Sequence, residues 1–237
     1  MVIVVPTSII LTKKTAKITT TTPRISITDE ILTTKQVQCI KTYATVENYS
    51  TDTSLSSMVI DHVDNDNRYD IITLDSSSQK IDILYNDGNR TFTIHTISLP
   101  TILWLRPVST ADVNNDNKRD TVILDSEFKK ILIYLNNGNR KFTEHMNYSI
   151  GTDPLFLTTE DLNADGYSDI IIGYRSAEGV SVQLNDGNGM FPGEAFFYRT
   201  VCASHFVTIA DLNGDHTLDI IALCPSVHKI VILFNNW

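Results

Sequence analysis

The 237-residue sequence predicts an all-β fold, a β-propeller of about four blades that are four-stranded antiparallel sheets. An Asp-rich segment occurs four times, at intervals of 50, 49 and 50 residues, beginning at His62, Asp112, Asp161 and Asp211. A turn rich in Asn and Gly follows the first three segments and ends in Phe92, Phe142 and Phe191. Short apolar runs lie between these landmarks. A period of this length is typical of propeller blades.

Each unit is predicted to contain four strands. A run such as 206–210 leads into the Asp-rich segment, and a run such as 219–223 leaves it. A third run, such as 130–135, precedes the Asn-Gly turn, and the fourth strand begins at the Phe. Short β-branched runs separated by Asn, Asp and Gly are hairpin signals. No segment has a helical period, so we expect few helices.

The two ends of the repeat region allow two arrangements. The fourth unit ends inside its Asn-Gly turn, and residues 35–48 precede the first unit in the register of an outer strand. That strand could complete the last blade and close a four-bladed ring, or the chain could form a partial arc of a larger propeller. We expect a Thr-rich, weakly ordered segment at 1–34 and propeller repeats at 35–237. The repeat units are about 51–100, 101–150, 151–200 and 201–237, plus the strand 35–48.

The Asp-rich segments contain the ligand types that calcium prefers. Counted from the first Asp, positions 1, 3, 5 and 9 carry carboxylates or amides, and position 7 can offer its backbone carbonyl. Ca²⁺ takes about six to eight oxygen ligands, and Mg²⁺ suits this set less well. The predicted calcium ligands are Asp64, Asp66 and Asp70 in the first segment; Asp112, Asn114, Asp116, Lys118 and Asp120 in the second; Asp161, Asn163, Asp165, Tyr167 and Asp169 in the third; and Asp211, Asn213, Asp215, Thr217 and Asp219 in the fourth.

The four segments are not equivalent as calcium sites. His62 replaces the leading Asp of the first segment and is a poor calcium ligand. Position 6 should have a left-handed backbone, which suits Gly166 in the third segment better than His216 in the fourth. We therefore expect the third segment to be the best site and the first to be the weakest. The alternative is that the carboxylates form Asx turns with local backbone N–H groups and hold no metal.

Charge and cysteine content restrict the class of protein. The net charge of −9 argues against a nucleic-acid-binding protein, which usually has a basic face. No apolar run reaches the roughly 18 residues that a membrane-spanning helix needs, and the first 14 residues lack the charge order of a signal peptide.

Cys202 and Cys224 could approach each other at the ends of neighbouring strands, or these two and Cys39 could remain thiols.

The segments DVNNDNKRD, DLNADGYSDI and DLNGDHTLDI, together with the Asn-Gly turns that end in Phe, resemble FG-GAP/VCBS repeats. These repeats form the propellers of integrin α-subunits and of many secreted or surface proteins. The resemblance implies a β-propeller, usually of seven blades, with Ca²⁺ in the blade loops and a role in adhesion outside the cell. The sequence departs from the family in its length and in lacking the full Phe-Gly…Gly-Ala-Pro string.

The sequence therefore favours a non-enzymatic calcium-binding module at the cell surface or outside the cell. We expect its calcium to be structural and its partner to be a protein or a glycan, with no nucleic acid and no membrane span. One alternative is that the repeats form the body of a secreted lyase or hydrolase, although no catalytic fingerprint occurs in the sequence. Another is that the chain is a fragment without a function of its own.

Overall fold

The structure is a computed structural model that describes residues 48–49, 55–99, 105–151 and 153–236. The chain divides into Met1–Asn48 and Tyr49–Trp237, and every strand described below belongs to the second unit. The predicted Thr-rich segment, Cys39 and all but the last residue of the predicted strand 35–48 lie outside the described residues.

The described strands form four antiparallel sheets, which we call blades 1 to 4. Blade 1 contains β1 Leu55–Asp61, β2 Asp70–Asp75, β3 Lys80–Gly88 and β4 Thr91–Ser98. Blade 2 contains β5 Leu105–Ala111, β6 Asp120–Asp125, β7 Lys130–Asn136 and β8 Phe142–Ser149. Blade 3 contains β9 Pro154–Glu160, β10 Asp169–Tyr174, β11 Gly179–Gln183 and β12 Phe196–Arg199. Blade 4 contains β13 Phe206–Ala210, β14 Asp219–Cys224 and β15 Lys229–Leu233, with a 3-10 turn at Pro225–Val227.

The all-β propeller fold predicted from the repeats is confirmed. Strand order within each sheet follows the chain, so every blade is a simple meander. The first strands of successive blades pack side by side in the order β1, β5, β9 and β13. Blade 4 has three strands in the described part of the chain. The strand pairing that would close a four-bladed ring involves residues before 48 and lies outside the described residues.

The hydrophobic core lies between the blades. One apolar cluster joins blades 1 and 2 and includes Ile72, Ile83 and Ile123, all with no exposed surface. A second cluster joins blades 2 and 3, and a third joins blades 3 and 4. The second strands of blades 1 to 3 are almost entirely buried, because each lies inside its sheet and faces at least one neighbouring blade. This burial explains why their sequences are runs of β-branched residues without polar alternation.

A disulfide and the Asp-rich loops complete the scaffold. The structure pairs Cys202 with Cys224, whose Cα atoms lie 5.6 Å apart, a usual separation for a disulfide. In every blade the Asp-rich segment connects the first strand to the second, so we call residues 62–70, 112–120, 161–169 and 211–219 loops 1 to 4. No helix long and apolar enough to cross a membrane occurs among the described residues.

Candidate metal centre

A buried Asp at position 9 anchors each loop to its blade. The four residues have no exposed surface and are Asp70, Asp120, Asp169 and Asp219. In loop 3, one carboxylate oxygen of Asp169 accepts the N–H of Leu162 at 3.1 Å, and the other accepts the N–H of Asn185 at 3.0 Å. The other three loops repeat both bonds. Position 9 therefore ties the loop to the Asn-Gly turn, and each oxygen keeps a second lone pair.

Burial and neighbouring negative charge raise the pKa of three anchoring carboxyls, those of Asp70, Asp120 and Asp169. Burial is the main cause for Asp169, whose pKa rises to about 6, and repulsion from Asp165 and Asp161 adds to it. Burial likewise raises the pKa of Asp120 to about 6, with repulsion from Asp116 and Asp112. The loop carboxylates are thus close enough to disfavour one another's charge. A bound cation would relieve this repulsion.

The carboxylate at position 1 holds the turn of loops 3 and 4. Asp161 accepts the N–H of Asp165 at 3.1 Å and the N–H of Gly166 at 2.9 Å. Asp211 in loop 4 accepts the N–H of Gly214 at 2.7 Å and the N–H of His216 at 3.0 Å. These bonds span three to five residues, farther than the two residues of an Asx turn, and they satisfy both carboxylates with local backbone N–H groups.

Positions 3 and 5 are linked to each other in loops 3 and 4. The amide of Asn163 donates to Asp165 at 2.8 Å, and the amide of Asn213 donates to Asp215 at 2.6 Å. The other oxygen of each Asp accepts the N–H of position 7, Tyr167 or Thr217. The position-7 carbonyls stay available as acceptors in this pattern, because it is the N–H of position 7 that is used.

Two residues of each loop have a left-handed backbone. Position 6 was predicted to do so, and its φ is 91° at Gly166 and 71° at His216. Position 4 does so as well, which the sequence did not reveal, with φ of 57° at Ala164 and 79° at Gly214. The left-handed residues of loops 1 and 2 are all asparagines, Asn65, Asn67, Asn115 and Asn117.

Loop 2 differs from loops 3 and 4 in having its own cation. The ammonium group of Lys118 lies 2.8 Å from Asp116 Oδ2. Lys118 was predicted to contribute only its backbone carbonyl at position 7. Its side chain instead neutralises the carboxylate at position 5, and the pKa of Asp116 stays below the ordinary value despite its burial because Lys118 donates to it.

Loop 1 is neutralised by two arginines. Arg68 pairs with Asp66 within the loop. Arg140 comes from blade 2, and its guanidinium lies 3.1 Å from Asp64 Oδ2 and 3.2 Å from Asp87 Oδ1. The same guanidinium lies over the ring of buried Tyr85, 4.3 Å from its centroid. Nδ1 of His62 lies 2.9 Å from the carbonyl of Arg68 at position 7, so the imidazole already contacts the backbone oxygen that a calcium ion would use.

The donor sets decide which loops suit Ca²⁺. No group of three acidic, His or Cys side chains in the described residues forms a ready-made metal site. The oxygen donors at positions 1, 3, 5 and 7 of loops 3 and 4 nevertheless match a hard cation. Loop 2 has the same donors, but Lys118 competes for Asp116. Loop 1 does not fit, because a histidine stands at position 1 and arginines already hold Asp64 and Asp66.

Two kinds of functional contact were not foreseen from the sequence. One is the pairing of Arg140 with Asp64, which are 76 residues apart. The other is a contact from the turn Asn of blades 2, 3 and 4 to the preceding blade, such as Asn136 to the carbonyl of Val63 at 2.7 Å. The repeated Asn-Gly turn was visible in the sequence, but its partner was not, because the partner is a backbone atom one blade away.

Four sheets packed in sequence, each with an acidic loop after its first strand, define a repeat-built β-propeller. The family model described as FG-GAP-like repeat matches residues 62–123 and 161–222, which together make just over half of the chain. The chain belongs to the FG-GAP-like repeat family. The resemblance noted in the loop sequences is thereby confirmed.

Solved structures share the fold at low sequence identity. A lectin of Agrocybe aegerita that recognises non-reducing terminal N-acetylglucosamine is 20% identical, with a TM-score of 0.53, over 72% of this chain and 47% of the lectin. A Bacteroides uniformis protein with a proposed 6-phosphogluconolactonase function is 14% identical, with a TM-score of 0.58, over 77% of this chain and 50% of that protein. This chain thus matches about half the length of each. No curated protein matches it significantly.

Proposed function

We propose that the chain is a non-enzymatic interaction module of the extracellular space that binds structural Ca²⁺ in loops 3 and 4. The observation on which this proposal depends is the difference in charge neutralisation among the loops. Loop 1 is neutralised by Arg68 and Arg140, and loop 2 by Lys118. In the described part of the chain, no Lys or Arg forms an ion pair with a carboxylate of loop 3 or loop 4.

A divalent cation would neutralise the carboxylates of loops 3 and 4, as basic side chains do in loops 1 and 2. Asp161, Asn163, Asp165 and the carbonyl of Tyr167 would hold it in loop 3, with the corresponding residues in loop 4. The cation would offset the repulsion among the loop carboxylates and hold the loop in its folded form. It would therefore stabilise the folded state by mass action rather than take part in a reaction.

Thermal unfolding with and without calcium tests the proposal. Extracellular calcium modules bind with a Kd of about 0.1–1 mM. Calcium at about 100 times Kd should add about 2.7 kcal/mol per site, which raises the Tm by roughly 5–10 °C for a chain of this size. EDTA should remove the increase. An unchanged Tm in both conditions would show that the loops are metal-free Asx turns.

Loop variants separate the individual sites. Asp165→Asn and Asp215→Asn should each remove part of the calcium-dependent rise in Tm, because each replaces a carboxylate ligand by an amide. Asp66→Asn in loop 1 is the matched control and should leave the calcium-dependent rise intact. If the loop 1 variant lost the calcium response, calcium would bind in loop 1, and the assignment of the sites to loops 3 and 4 would be wrong.

A polar cleft between loops 1 and 2 is the candidate partner site. It has a volume of about 380 Å³ and is lined by Asp61, His62, Asn65, Asp112, Asn117, Lys118 and Arg119. The ring of His62 stacks on Tyr69, which is 61% exposed, with centroids 4.0 Å apart. Hydrogen-bonding groups beside an exposed aromatic pair suit a carbohydrate or a polar protein loop. The Cys202–Cys224 disulfide supports an oxidising, extracellular setting.

Glycan binding can be tested by saturation-transfer NMR with an oligosaccharide that ends in N-acetylglucosamine. His62→Ala should abolish the transfer, because it removes the stacked ring from the cleft. His95→Ala is the control, because His95 is exposed on the outer strand of blade 1. If neither protein shows transfer with this or other terminal sugars, the glycan part of the proposal is wrong and only a protein partner remains as the proposal.

A further inference from the structure

The interface between successive blades uses the same positions each time. In blade 1, Ile72, Leu74, Ile81 and Ile83 face blade 2 and have no exposed surface. Val63 of loop 1 and Tyr85 at the end of β3 belong to the same cluster and are 2% and 0% exposed. Equivalent residues of blades 2 and 3 fill the next two clusters. Each blade therefore presents one apolar face to the blade that follows it.

No other described blade packs on the corresponding face of blade 4. Strand pairing identifies the residues of blade 4 that are equivalent to Leu74, Ile81 and Ile83 of blade 1. These are Leu223, Ile230 and Ile232, which are 43%, 66% and 41% exposed. The places of Val63 and Tyr85 are taken by Leu212 and Phe234, which are 49% and 55% exposed. Blade 4 thus has the residues of a blade-binding face without a blade against it.

Among the described strands, the complementary face, on which no blade packs, belongs to blade 1. Val108 of blade 2 packs against blade 1 and is 6% exposed. Met58 holds the same place in blade 1 and is 61% exposed, and Ile60 on the same face is 53% exposed. In the described strands, first strands pack closely from β1 through β5 and β9 to β13, and no comparable packing joins blade 4 to blade 1. The two ends of the arc therefore expose the two halves of one interface.

A hydrogen bond also recurs at the same position between successive blades. The Asn of the turn donates its side-chain amide to the carbonyl of the second loop residue one blade earlier. The three pairs are Asn136 with Val63 at 2.7 Å, Asn185 with Val113 at 2.9 Å and Asn235 with Leu162 at 2.8 Å. Asn86 of blade 1 instead bonds Tyr69 of its own blade at 3.2 Å. The acceptor that lacks such an Asn in the described chain is the carbonyl of Leu212.

We propose that two copies of this chain assemble head to tail, with blade 4 of each copy packed on blade 1 of the other. Ile230 and Ile232 of one copy would meet Met58 and Ile60 of the other, and Asn86 would donate to Leu212. The proposed interface would repeat the contact that already joins successive blades at three places within one chain. Two such contacts close a ring, and eight blades are within the range of propellers. The matched part of one copy covers about half of each of the two solved structures.

The mass of the full chain in solution is the first test. Sedimentation velocity or light scattering should give about twice the 26.6 kDa of one chain, and dilution should return the single-chain mass. A single-chain mass at every concentration would overturn the proposal and would indicate that another part of the same chain covers blade 4. An open-ended series of larger species would overturn the closed two-copy ring.

Complementation between variants tests which faces meet. Ile230→Lys disables the blade 4 face, and Met58→Lys disables the blade 1 face, so each variant alone should be monomeric. An equimolar mixture should form a dimer, because it still contains one intact blade 4 face and one intact blade 1 face. Phe128→Lys is the control: Phe128 is 49% exposed in a turn of blade 2 and should not affect dimerisation. Circular dichroism verifies that each variant remains folded.

A cysteine pair tests the register. The variant with both Asn86→Cys and Leu212→Cys should form a disulfide-linked dimer under mild oxidation, and each single variant should not. A dimer that survives both lysine variants, or a mixture that stays monomeric, would show that the copies meet through other surfaces and would overturn the proposal.

Discussion

The side-chain amide of Asn136 lies 2.7 Å from the carbonyl of Val63, and this bond joins blade 2 to the loop of blade 1 across 73 residues. Asn136 is 2% exposed and also donates to the carbonyl of Arg119 at 3.1 Å. Its own side-chain oxygen accepts the N–H of Gly138 at 3.0 Å. One side chain thus fixes a turn, a loop and the contact between two blades.

Asn136→Ala should lower the free energy of unfolding by about 2 kcal/mol or more, because it leaves buried carbonyls without a donor. Urea unfolding measures the change. Asn86→Ala is the matched control, because Asn86 occupies the same turn in blade 1 but bonds only within its blade among the described residues. Both substitutions are compared in the Ile230→Lys background, so that contact between copies does not contribute. Equal losses for the two variants would show that the bond between blades adds nothing.

The sequence was sufficient to predict the strands, their order and the position of the loops. It could do so because a 50-residue period, Asn-Gly turns and β-branched runs are local signals that each blade repeats. It could not predict that Arg140 neutralises Asp64 or that Lys118 pairs with Asp116. Those contacts depend on side-chain direction and on packing between blades, and neither is encoded in local spacing. The distinction between neutralised and unneutralised loops therefore required the structure.

The Arg140–Asp64 contact should stabilise the junction of blades 1 and 2. Arg140→Gln should cost about 1–3 kcal/mol, because it leaves a largely buried carboxylate without its charged donor. Arg140→Lys should recover only part of the loss, since an ammonium group cannot contact Asp64 and Asp87 while covering the ring of Tyr85 in the same way. Urea unfolding at constant salt compares the three proteins. Wild-type stability in Arg140→Gln would mean that loop 1 does not need this cation.

The left-handed backbone of loop 3 predicts opposite effects on stability for two substitutions. Ala164 has a φ of 57°, which is unfavourable for a residue with a Cβ, so Ala164→Gly should raise the free energy of unfolding by roughly 1 kcal/mol. Gly166 has a φ of 91° and no atom within 4 Å of an added Cβ. Gly166→Ala should therefore cost roughly 1–2 kcal/mol through the backbone alone. Unfolding in EDTA keeps any metal out of the comparison, and a neutral result at both positions would contradict the assigned left-handed conformation.

Asp75 and Asp125 occupy equivalent turns in blades 1 and 2, but their pKa values are shifted in opposite directions. Burial raises the pKa of both carboxyls. At Asp75 this is outweighed by hydrogen bonds from Ser77 and Ser78, so its pKa is lowered. At Asp125 the N–H groups of Phe128 and Glu127 are the donors, burial prevails and the pKa is raised. Carboxyl-detected NMR titration should place Asp75 below and Asp125 above the ordinary value of about 3.9.

The two shifts have opposite effects on stability. A lowered folded-state pKa means that Asp75 contributes stability above the unfolded value of about 3.9, and this stability is lost as the pH falls through the folded pKa. A raised pKa means that the contribution of Asp125 is present below about 3.9 and is lost as the pH rises through its folded pKa. Replacing Ser77 and Ser78 by alanine should therefore destabilise the protein at pH 7 more than at pH 3. The reciprocal pair Glu127→Ser and Phe128→Ser should lower the pKa of Asp125 and stabilise the protein at pH 7. If the serine-to-alanine pair leaves the titration of Asp75 unchanged, the hydroxyl donors of that turn do not set its pKa.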